Sequence, residues 1–189
     1  FFDFGSPTSY LASTQLPKIA AERGATLVWR PMLLGGVFKA TGNASPATIA
    51  AKGRYMFIDL SRYATRYGVA FRLNPHFPIN TLLLMRAVTG MQMQHPERFL
   101  DFIDCLFRAL WVDGRNLNDP AVVATVLAEH GFDAQAVLAL TADDAVKNAL
   151  KDCTDEAIRR GVFGAPSMFV GDQLYFGQDR LDFVREALR

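Results

Sequence analysis

The order of hydrophobic patterns along the chain restricts its fold more than any other feature. Residues 1–4 form an apolar run, residues 6–23 carry apolar side chains at helical spacing, and residues 25–32 form a second apolar run. Gly24 ends the helical pattern and Pro31 ends the second run. A strand, a helix and a strand in this order predict two parallel strands joined by a crossover helix.

The pattern then changes to helical periodicity alone, from about residue 45 to residue 160. Strand signals return at residues 167–177, where two short β runs flank a Gly171-Asp172 dipeptide typical of hairpin turns. A last helical pattern covers residues 179–189. We therefore expect an α/β fold in which a helical block is inserted between the two halves of one small mixed sheet. The expected limits are 1–36 and 161–189 for the sheet domain and 37–160 for the insertion.

The composition indicates an ordinary globular protein. The chain has 189 residues, 50% of them hydrophobic, which is enough for one sizeable core. A net charge of +1 at pH 7 gives no reason to expect nucleic acid or a membrane surface as partner. Apolar runs are far shorter than the roughly 18 residues of a membrane span. The chain opens inside an apolar run without methionine, and we expect trimmed residues before Phe1, not a signal peptide.

Cysteine and histidine usage gives no metal or disulfide signal. Cys105 and Cys153 are far apart, and neither lies in a Cys-x-x-Cys motif. Two reduced thiols in a cytosolic protein are expected, and a disulfide between them is disfavoured. The histidines are scattered without the spacing of metal ligands.

Three short polar stretches have both a structural and a functional interpretation. Ser6-Pro7-Thr8-Ser9 is typical of a helix start, with Ser6 as cap, and it also aims backbone N–H groups at whatever lies above Ser6. Pro166 precedes a β run, either as an ordinary trans proline or in a cis bond of a tight turn. Asp179-Arg180 is either a helix cap or a polar cluster that holds an ammonium and a carboxylate.

Six stretches spread over most of the chain resemble the 2-hydroxychromene-2-carboxylate isomerases: FDFGSPTSYLA, RPMLLGGVFKATGN, FPINTLLLMRA, LWVDGRNLNDP, GVFGAPSMFV and FGQDRLDFV. The first, fifth and sixth are shared with kappa-class glutathione transferases. The resemblance implies a thioredoxin-like domain split by an inserted all-helical domain. Disulfide oxidoreductases of this architecture carry Cys-x-x-Cys where this chain has Ser6-Pro7-Thr8-Ser9. Dithiol exchange at that place is therefore excluded.

The resemblance also implies a glutathione site and the residues that form it. Ser6 matches the serine that hydrogen-bonds the sulfur of bound glutathione, and we expect it to be the catalytic residue. Ala165 matches the residue whose backbone pairs with the cysteinyl part of glutathione, as an added strand does. Pro166 would then be cis.

Three further positions complete the implied glutathione site. Asn43 matches an asparagine that contacts glutathione from the insertion. Asp179 and Arg180 match the pair that holds the γ-glutamyl end, where an acid suits the ammonium and an arginine suits the carboxylate. No metal is implied.

The implied reaction interconverts 2-hydroxychromene-2-carboxylate and trans-o-hydroxybenzylidenepyruvate by reversible addition of the glutathione thiolate. A free thiol with a pKa of about 8.5 is only about 3% ionised at pH 7. A helix N-terminus and a hydroxyl donor that lowered this pKa by about two units would raise the thiolate fraction roughly 25-fold. Part of that gain is lost in nucleophilicity, and the better leaving ability of the sulfur favours an isomerase over a conjugating enzyme.

The expected substrate is a small, flat aromatic carboxylate bound between the two domains. Phe38, Phe77, Trp111 and Phe163 are candidate walls, although core packing is the commoner role of such rings. Candidate carboxylate ligands are Lys39, Arg54, Arg72 and Arg86, and Asn80 is either a helix cap or a site residue. We further expect a cytoplasmic homodimer, as the resemblance implies.

Two alternatives to the isomerase remain open from the sequence. A kappa-class-like glutathione transferase or peroxidase would consume glutathione. A non-catalytic thioredoxin-like module would bind peptides against the proline loop and would have no affinity for glutathione.

Overall fold

The computed structural model describes residues 1–188, which are mostly helical with one β-hairpin. The helices are α1 (Pro7–Arg23), α2 (Leu34–Thr41), α3 (Ala50–Tyr67), α4 (Leu82–Gln94), α5 (Phe99–Trp111), α6 (Pro120–Glu129), α7 (Ala134–Leu140), α8 (Asp144–Arg159) and α9 (Leu181–Ala187). The strands are β1 (Ser167–Val170) and β2 (Gln173–Phe176). None of the helices within residues 1–188 has the length and apolar composition that a membrane span requires.

The hairpin predicted around Gly171-Asp172 is confirmed. β1 and β2 pair antiparallel, from Ser167 opposite Phe176 to Val170 opposite Gln173. Gly171 has a φ of 57°, a left-handed conformation that glycine adopts without the steric cost of a Cβ atom.

The two N-terminal apolar runs are less regular than predicted. Neither run forms a full strand, and the contact between them is a single parallel bridge from Phe2 to Pro31. The Phe2 amide donates to the Arg30 carbonyl at 3.1 Å, and the Met32 amide donates to the Phe2 carbonyl at 3.0 Å. The pairing stops after Met32 because the next groups are used elsewhere: the Leu34 amide donates to the Asp3 carboxylate, and the Phe4 carbonyl accepts from the Trp111 indole.

Phe1 connects these runs to the hairpin. Its amino nitrogen donates to the Ser167 carbonyl at 2.7 Å, and the Ser167 amide donates to the Phe1 carbonyl at 3.1 Å. The extended segments therefore lie side by side in the order 30–32, 1–2, β1 and β2.

Helix α2 was not predicted from the sequence. Gly35 and Gly36 give this segment a poor intrinsic helix propensity. The helix is held by its packing on α8, where a Cβ atom at Gly36 would lie 3.3 Å from Cγ2 of Thr154. The predicted boundary between residues 36 and 37 falls inside this helix.

The largest hydrophobic cluster lies among the inserted helices and reaches the first apolar run. Trp111 is fully buried, and its indole N–H donates to the Phe4 carbonyl at 2.9 Å. A smaller cluster, called here the α1–α9 cluster, lies between α1, β1 and α9. Its buried members are Ala12, Ile19, Met168, Leu181 and Val184.

Candidate functional site

Ser6 caps the N-terminus of α1, as the sequence predicts. Its Oγ atom accepts a hydrogen bond from the Ser9 amide at 3.1 Å, and Pro7 occupies the first helical position. The same hydroxyl donates to the Ala165 carbonyl at 2.9 Å, across 159 positions of the chain. Ser6 is therefore both the helix cap and a contact to the proline loop, so the two interpretations of this serine do not exclude each other.

The proline loop lies directly against the start of α1. The Ala165–Pro166 peptide bond is cis, and both residues are buried. The Thr8 hydroxyl lies 2.7 Å from Oγ of Ser6 and donates to the same Ala165 carbonyl at 2.8 Å. The loop is closely packed at Gly164, where a Cβ atom would lie 2.6 Å from the ring of Phe176.

Asp3 holds the segment before Ser6 in place. This buried carboxylate accepts from the Gly5 amide and from the Leu34 amide, each at 2.8 Å. It thereby ties the turn that leads into α1 to the first residue of α2. Burial raises the pKa of Asp3, and the two amide hydrogen bonds offset only part of that effect.

We expect the substitution Asp3→Asn to change the pH dependence of stability. Because the folded-state pKa of Asp3 is raised, the parent chain loses stability as pH rises from about 4 through that pKa. The asparagine variant lacks this loss, although it leaves one of the two amides unpaired at a cost of about 1–3 kcal/mol. Urea unfolding between pH 4 and pH 8 should therefore give a lower free energy of unfolding for the variant than for the parent chain, with a difference that becomes smaller as pH rises. A deficit that stayed constant would contradict the assignment.

Asn43 reaches the proline loop from the insertion. It lies just after α2, is exposed, and donates from Nδ2 to the Phe163 carbonyl at 2.8 Å. The structure thus brings Asn43 to the loop that carries Ala165 and Pro166.

Asp179 and Arg180 lie between β2 and α9 and bind each other, with 2.5 Å between Oδ2 and Nη1. The neighbouring Gln178 carbonyl accepts a hydrogen bond from the Tyr67 hydroxyl at 2.5 Å. Burial, with a smaller contribution from Asp179, raises the pKa of Tyr63 on the same helix. The C-terminal half of α3 therefore lies against the turn that carries the acid–base pair.

A cavity of about 490 Å³ lies beside Thr8, between the start of α1 and helix α3. Its walls come from both segments and from the turn before α9. The lining residues are Thr8, Pro46, Ala51, Lys52, Tyr55, Met56, Asp59, Leu60 and Gln178. Ser6 does not line this space, but its Oγ atom lies 2.7 Å from Oγ1 of Thr8, which does.

Lys52 is the lining residue of most chemical interest, and sequence reasoning missed it. It lies on α3 with Tyr55, Met56 and Asp59, at the i, i+3, i+4 and i+7 spacing that places side chains on one helix face. The spacing is visible in the sequence, but it does not show which face of the helix lies against the cleft.

The candidate aromatic walls and basic residues lie outside this cavity. Trp111 is in the core, and Phe77 packs against it with ring centroids 6.0 Å apart. Phe163 is 41% exposed and packs against Phe176 beside the proline loop. Asn80 is not the cap of α4, which is Thr81; its side chain accepts from the Leu82 amide at 3.1 Å in a local turn just before the helix.

Comparisons with known proteins agree with this geometry. A model of the DSBA-like thioredoxin domain family matches residues 1–189. A 2-hydroxychromene-2-carboxylate isomerase of Sphingobium xenophagum is 30% identical over 190 residues, which is 100% of this chain and 95% of that protein. Glutathione S-transferase kappa 1 of Homo sapiens is 28% identical over 204 residues, or 100% of this chain and 88% of that protein.

A solved structure also matches nearly the whole chain. A selenomethionine form of 2-hydroxychromene-2-carboxylate isomerase superposes with a TM-score of 0.84 at 29% identity. The match covers 99% of this chain and 91% of that one. The expected thioredoxin-like fold class is confirmed by these matches.

Proposed function

Since this chain belongs to the 2-hydroxychromene-2-carboxylate isomerase family, within the DSBA-like thioredoxin domains, we propose that it is a glutathione-dependent isomerase. Its substrate is 2-hydroxychromene-2-carboxylate or a related aromatic carboxylate, which it interconverts with the ring-opened trans-benzylidenepyruvate. Glutathione is regenerated in each turnover and acts as a cofactor.

The position of Ser6 is the observation that carries the proposal. Its hydroxyl lies at the positive end of α1, in contact with the loop of the cis Pro166 and next to the cavity wall at Thr8. A hydroxyl and a helix N-terminus both stabilise an anion more than its neutral form. The described residues place no cysteine there, because Cys105 and Cys153 are both buried elsewhere as free thiols.

The chain's own groups fit a bound tripeptide. An extended peptide pairs with the backbone of Ala165, beside the cis proline, whose carbonyl in the empty site accepts from Ser6 and Thr8. The Lys52 ammonium lines the cavity and suits a carboxylate, while Asp179 and Arg180 suit an amino acid end. Asn43 holds the proline loop from the insertion side.

Glutathione supplies the thiolate, which adds reversibly to the conjugated double bond and so permits rotation about it. The protein contributes the environment in which this thiolate forms. Ser6 donates its hydroxyl hydrogen to the sulfur, and the α1 N-terminus lowers the thiol pKa. Met56 and Leu60 of α3 give the cavity an apolar wall against which a flat aromatic ring can pack.

The proposal is tested by calorimetry and by following the absorbance change of 2-hydroxychromene-2-carboxylate. We expect glutathione to bind, isomerisation to require it in catalytic amounts, and the free thiol concentration to stay constant. Isomerisation at an undiminished rate without glutathione would contradict the proposal, as would a failure of glutathione to bind.

A kappa-class-like transferase is the second candidate, supported by the human relative at 28% identity. It would use the same site residues but consume one thiol for each product formed. The thiol measurement therefore separates the two reactions. A non-catalytic binding module, the third possibility, predicts no calorimetric signal with glutathione.

Replacing Lys52 by methionine should weaken glutathione binding and raise its KM about three- to fivefold, because the cavity loses a partly exposed ammonium that pairs with a carboxylate. The matched control is Arg54→Met, two positions along the same helix, on an exposed side chain outside the cavity lining. Equal effects of the two substitutions would mean that net charge, and not a contact at Lys52, is responsible.

We also propose a cytoplasmic location, which the two unpaired thiols of Cys105 and Cys153 support. A homodimer remains a proposal, and sedimentation or light scattering tests it.

A further inference from the structure

Asp3 is a buried acidic residue that the proposed reaction does not use. It is 1% exposed, and among the aspartate, glutamate, lysine and arginine residues of positions 1–188 it is the only one that is buried. Burial of a carboxyl group costs free energy even when hydrogen bonds satisfy its oxygens, so stability alone is a poor reason for its presence. Its contacts indicate a different role, which lies in how the site around Ser6 is assembled.

Asp3 fixes the turn that carries Ser6 through both its side chain and its main chain. Oδ1 accepts a hydrogen bond from the Gly5 amide at 2.8 Å, and the Asp3 carbonyl accepts from the Ser6 amide at 3.1 Å. The turn is also closely packed, since a Cβ atom at Gly5 would lie 3.1 Å from Cγ2 of Thr81 and 3.4 Å from Oδ1 of Asp3. The direction of the Ser6 hydroxyl therefore depends on Asp3.

The second carboxylate oxygen of Asp3 fixes helix α2. Oδ2 accepts a hydrogen bond at 2.8 Å from the amide of Leu34, the first residue of the helix. The helix ends at Thr41, and Asn43 follows it closely, with its amide donating to Oγ1 of Thr41 at 3.4 Å. Helix α2 thus connects the Asp3 carboxylate to Asn43.

Both branches from Asp3 end on the proline loop. The Ser6 hydroxyl donates to the Ala165 carbonyl at 2.9 Å, and Nδ2 of Asn43 donates to the Phe163 carbonyl at 2.8 Å. These two acceptors belong to one loop, so the contacts form a closed ring in which Asp3 joins the α1 branch to the α2 branch. A change at Asp3 is therefore transmitted to the Ser6 hydroxyl.

We propose that Asp3 is a positioning residue of the isomerase site, and that its carboxylate holds the Ser6 hydroxyl and the α2–Asn43 branch in place against the proline loop. This inference rests on the proposed function. Asp3 is buried, so it acts through Ser6 and not by contact with glutathione or substrate. A carboxylate offers one acceptor oxygen to each of the two amides, whereas an asparagine offers a single oxygen and turns its NH2 group towards the other amide.

The first test is the pH profile of kcat/KM for the aromatic substrate at saturating glutathione. In Asp3→Asn the Ser6 hydroxyl is less well placed to donate to the thiolate. The acidic limb should therefore move upward by up to about one pH unit, and the rate at pH 7 should fall by up to about threefold. Loss of a nearby negative charge would instead stabilise the thiolate and move the limb downward. The direction of the shift thus separates positioning from charge.

A double-mutant cycle shows whether Asp3 acts through Ser6. If it does, Asp3→Asn has no further effect on the limb once Ser6→Ala has removed the hydroxyl, and the two effects are non-additive. The matched control is Thr154→Val. Oγ1 of the buried Thr154 accepts from the Leu33 amide at 3.0 Å, so it fixes the start of α2 without a hydrogen bond to the turn before Ser6. We expect this variant to leave the limb in place.

Amide hydrogen exchange of the ligand-free protein gives a readout that does not depend on activity. The Ser9 amide donates to Oγ of Ser6, so its exchange reports whether that hydroxyl stays in place. Exchange at Ser9 should become about fivefold faster or more in Asp3→Asn and stay unchanged in Thr154→Val. If Asp3→Asn does not fold, Leu34→Pro replaces it in both tests. Proline fits the first helical position and removes the N–H that donates to Oδ2, while the charge of Asp3 is kept.

A limb that stayed in place or moved downward in Asp3→Asn would overturn the proposal, as would unchanged exchange at Ser9. So would an equal upward shift in Thr154→Val, or a full shift in the Ser6→Ala background. A parent chain without isomerase activity would overturn the proposed function instead, and the Ser9 amide would then still decide whether Asp3 positions Ser6.

Discussion

Truncating Phe107 to alanine should lower the free energy of unfolding by about 3–5 kcal/mol, a large fraction of the roughly 5–15 kcal/mol by which folded domains are stable. Phe107 is 1% exposed and lies at the junction of the inserted helices and the first apolar run. Its ring centroid is 4.8 Å from that of Phe4 and 6.0 Å from those of Phe2 and Tyr10. The cavity left by the missing ring cannot collapse without moving these three neighbours.

Phe183→Ala on α9 provides the matched control, because the same atoms are removed from a side chain that is 55% exposed. We expect its cost to be about 0.5 kcal/mol or less. Urea denaturation of both variants measures the difference. Similar losses in the two variants would show that Phe107 is not part of a close-packed junction.

Replacing Ser6 by alanine should move the acidic limb of the pH profile of kcat/KM upward by about one to two pH units. The reason is the loss of a hydrogen bond to a charged sulfur, which contributes about 1.5–3 kcal/mol, where one pKa unit corresponds to about 1.4 kcal/mol. Without the donor the thiolate is less stable, its pKa rises, and activity begins at higher pH. From a thiol pKa of about 6.5, a rise of one to two units lowers the thiolate fraction at pH 7 roughly 3- to 25-fold, and the rate should fall by up to that factor.

Two further substitutions separate this effect from helix capping, which costs about 1 kcal/mol of stability on its own. Ser6→Thr retains a hydroxyl and should recover most of the activity. Ser9→Ala removes a buried hydroxyl that makes no hydrogen bond within the described residues, and should leave the pH profile unmoved. If Ser6→Ala lowered stability but left the pH profile where it was, Ser6 would be a cap and nothing more.

The sequence predicted the parts of the fold that are determined locally. The hairpin depends on a Gly-Asp turn, and the long helices depend on caps such as Asp119, whose side chain accepts from the Ala121 amide. These signals act over a few residues, so a single sequence reveals them. The limits of the two domains stay a prediction. The expected boundary falls inside α2 because Gly35 and Gly36 give this segment a poor helix propensity, so the helix was not predicted.

The features that sequence analysis missed depend on long-range contacts. Helix α2 contains two glycines. It is held in place because the Asp3 carboxylate accepts a hydrogen bond from the first amide of the helix, at Leu34, and because Thr154 packs against Gly36. The predicted N-terminal strands are reduced to one bridge, because the Leu34 amide donates to Asp3 and the Phe4 carbonyl accepts from Trp111 instead of continuing the ladder. No pattern of neighbouring residues reports either effect.

The candidate site was predicted in part. Resemblance identified Ser6, Asn43 and Ala165, and the structure brings all three to one loop. It did not identify Lys52, because a lysine on a helix is usually solvated and only the shape of the cleft distinguishes this one.

The Ala165 carbonyl accepts hydrogen bonds from both Ser6 and Thr8, and this affects how the cleft can bind a ligand. Thr8 also donates to that carbonyl. The Ser6 hydroxyl can therefore donate to another acceptor while the Ala165 oxygen keeps one hydrogen bond. If glutathione binds as proposed, the loop needs no rearrangement between the empty and the loaded state. Little of the binding free energy would then be spent on a conformational change of the protein.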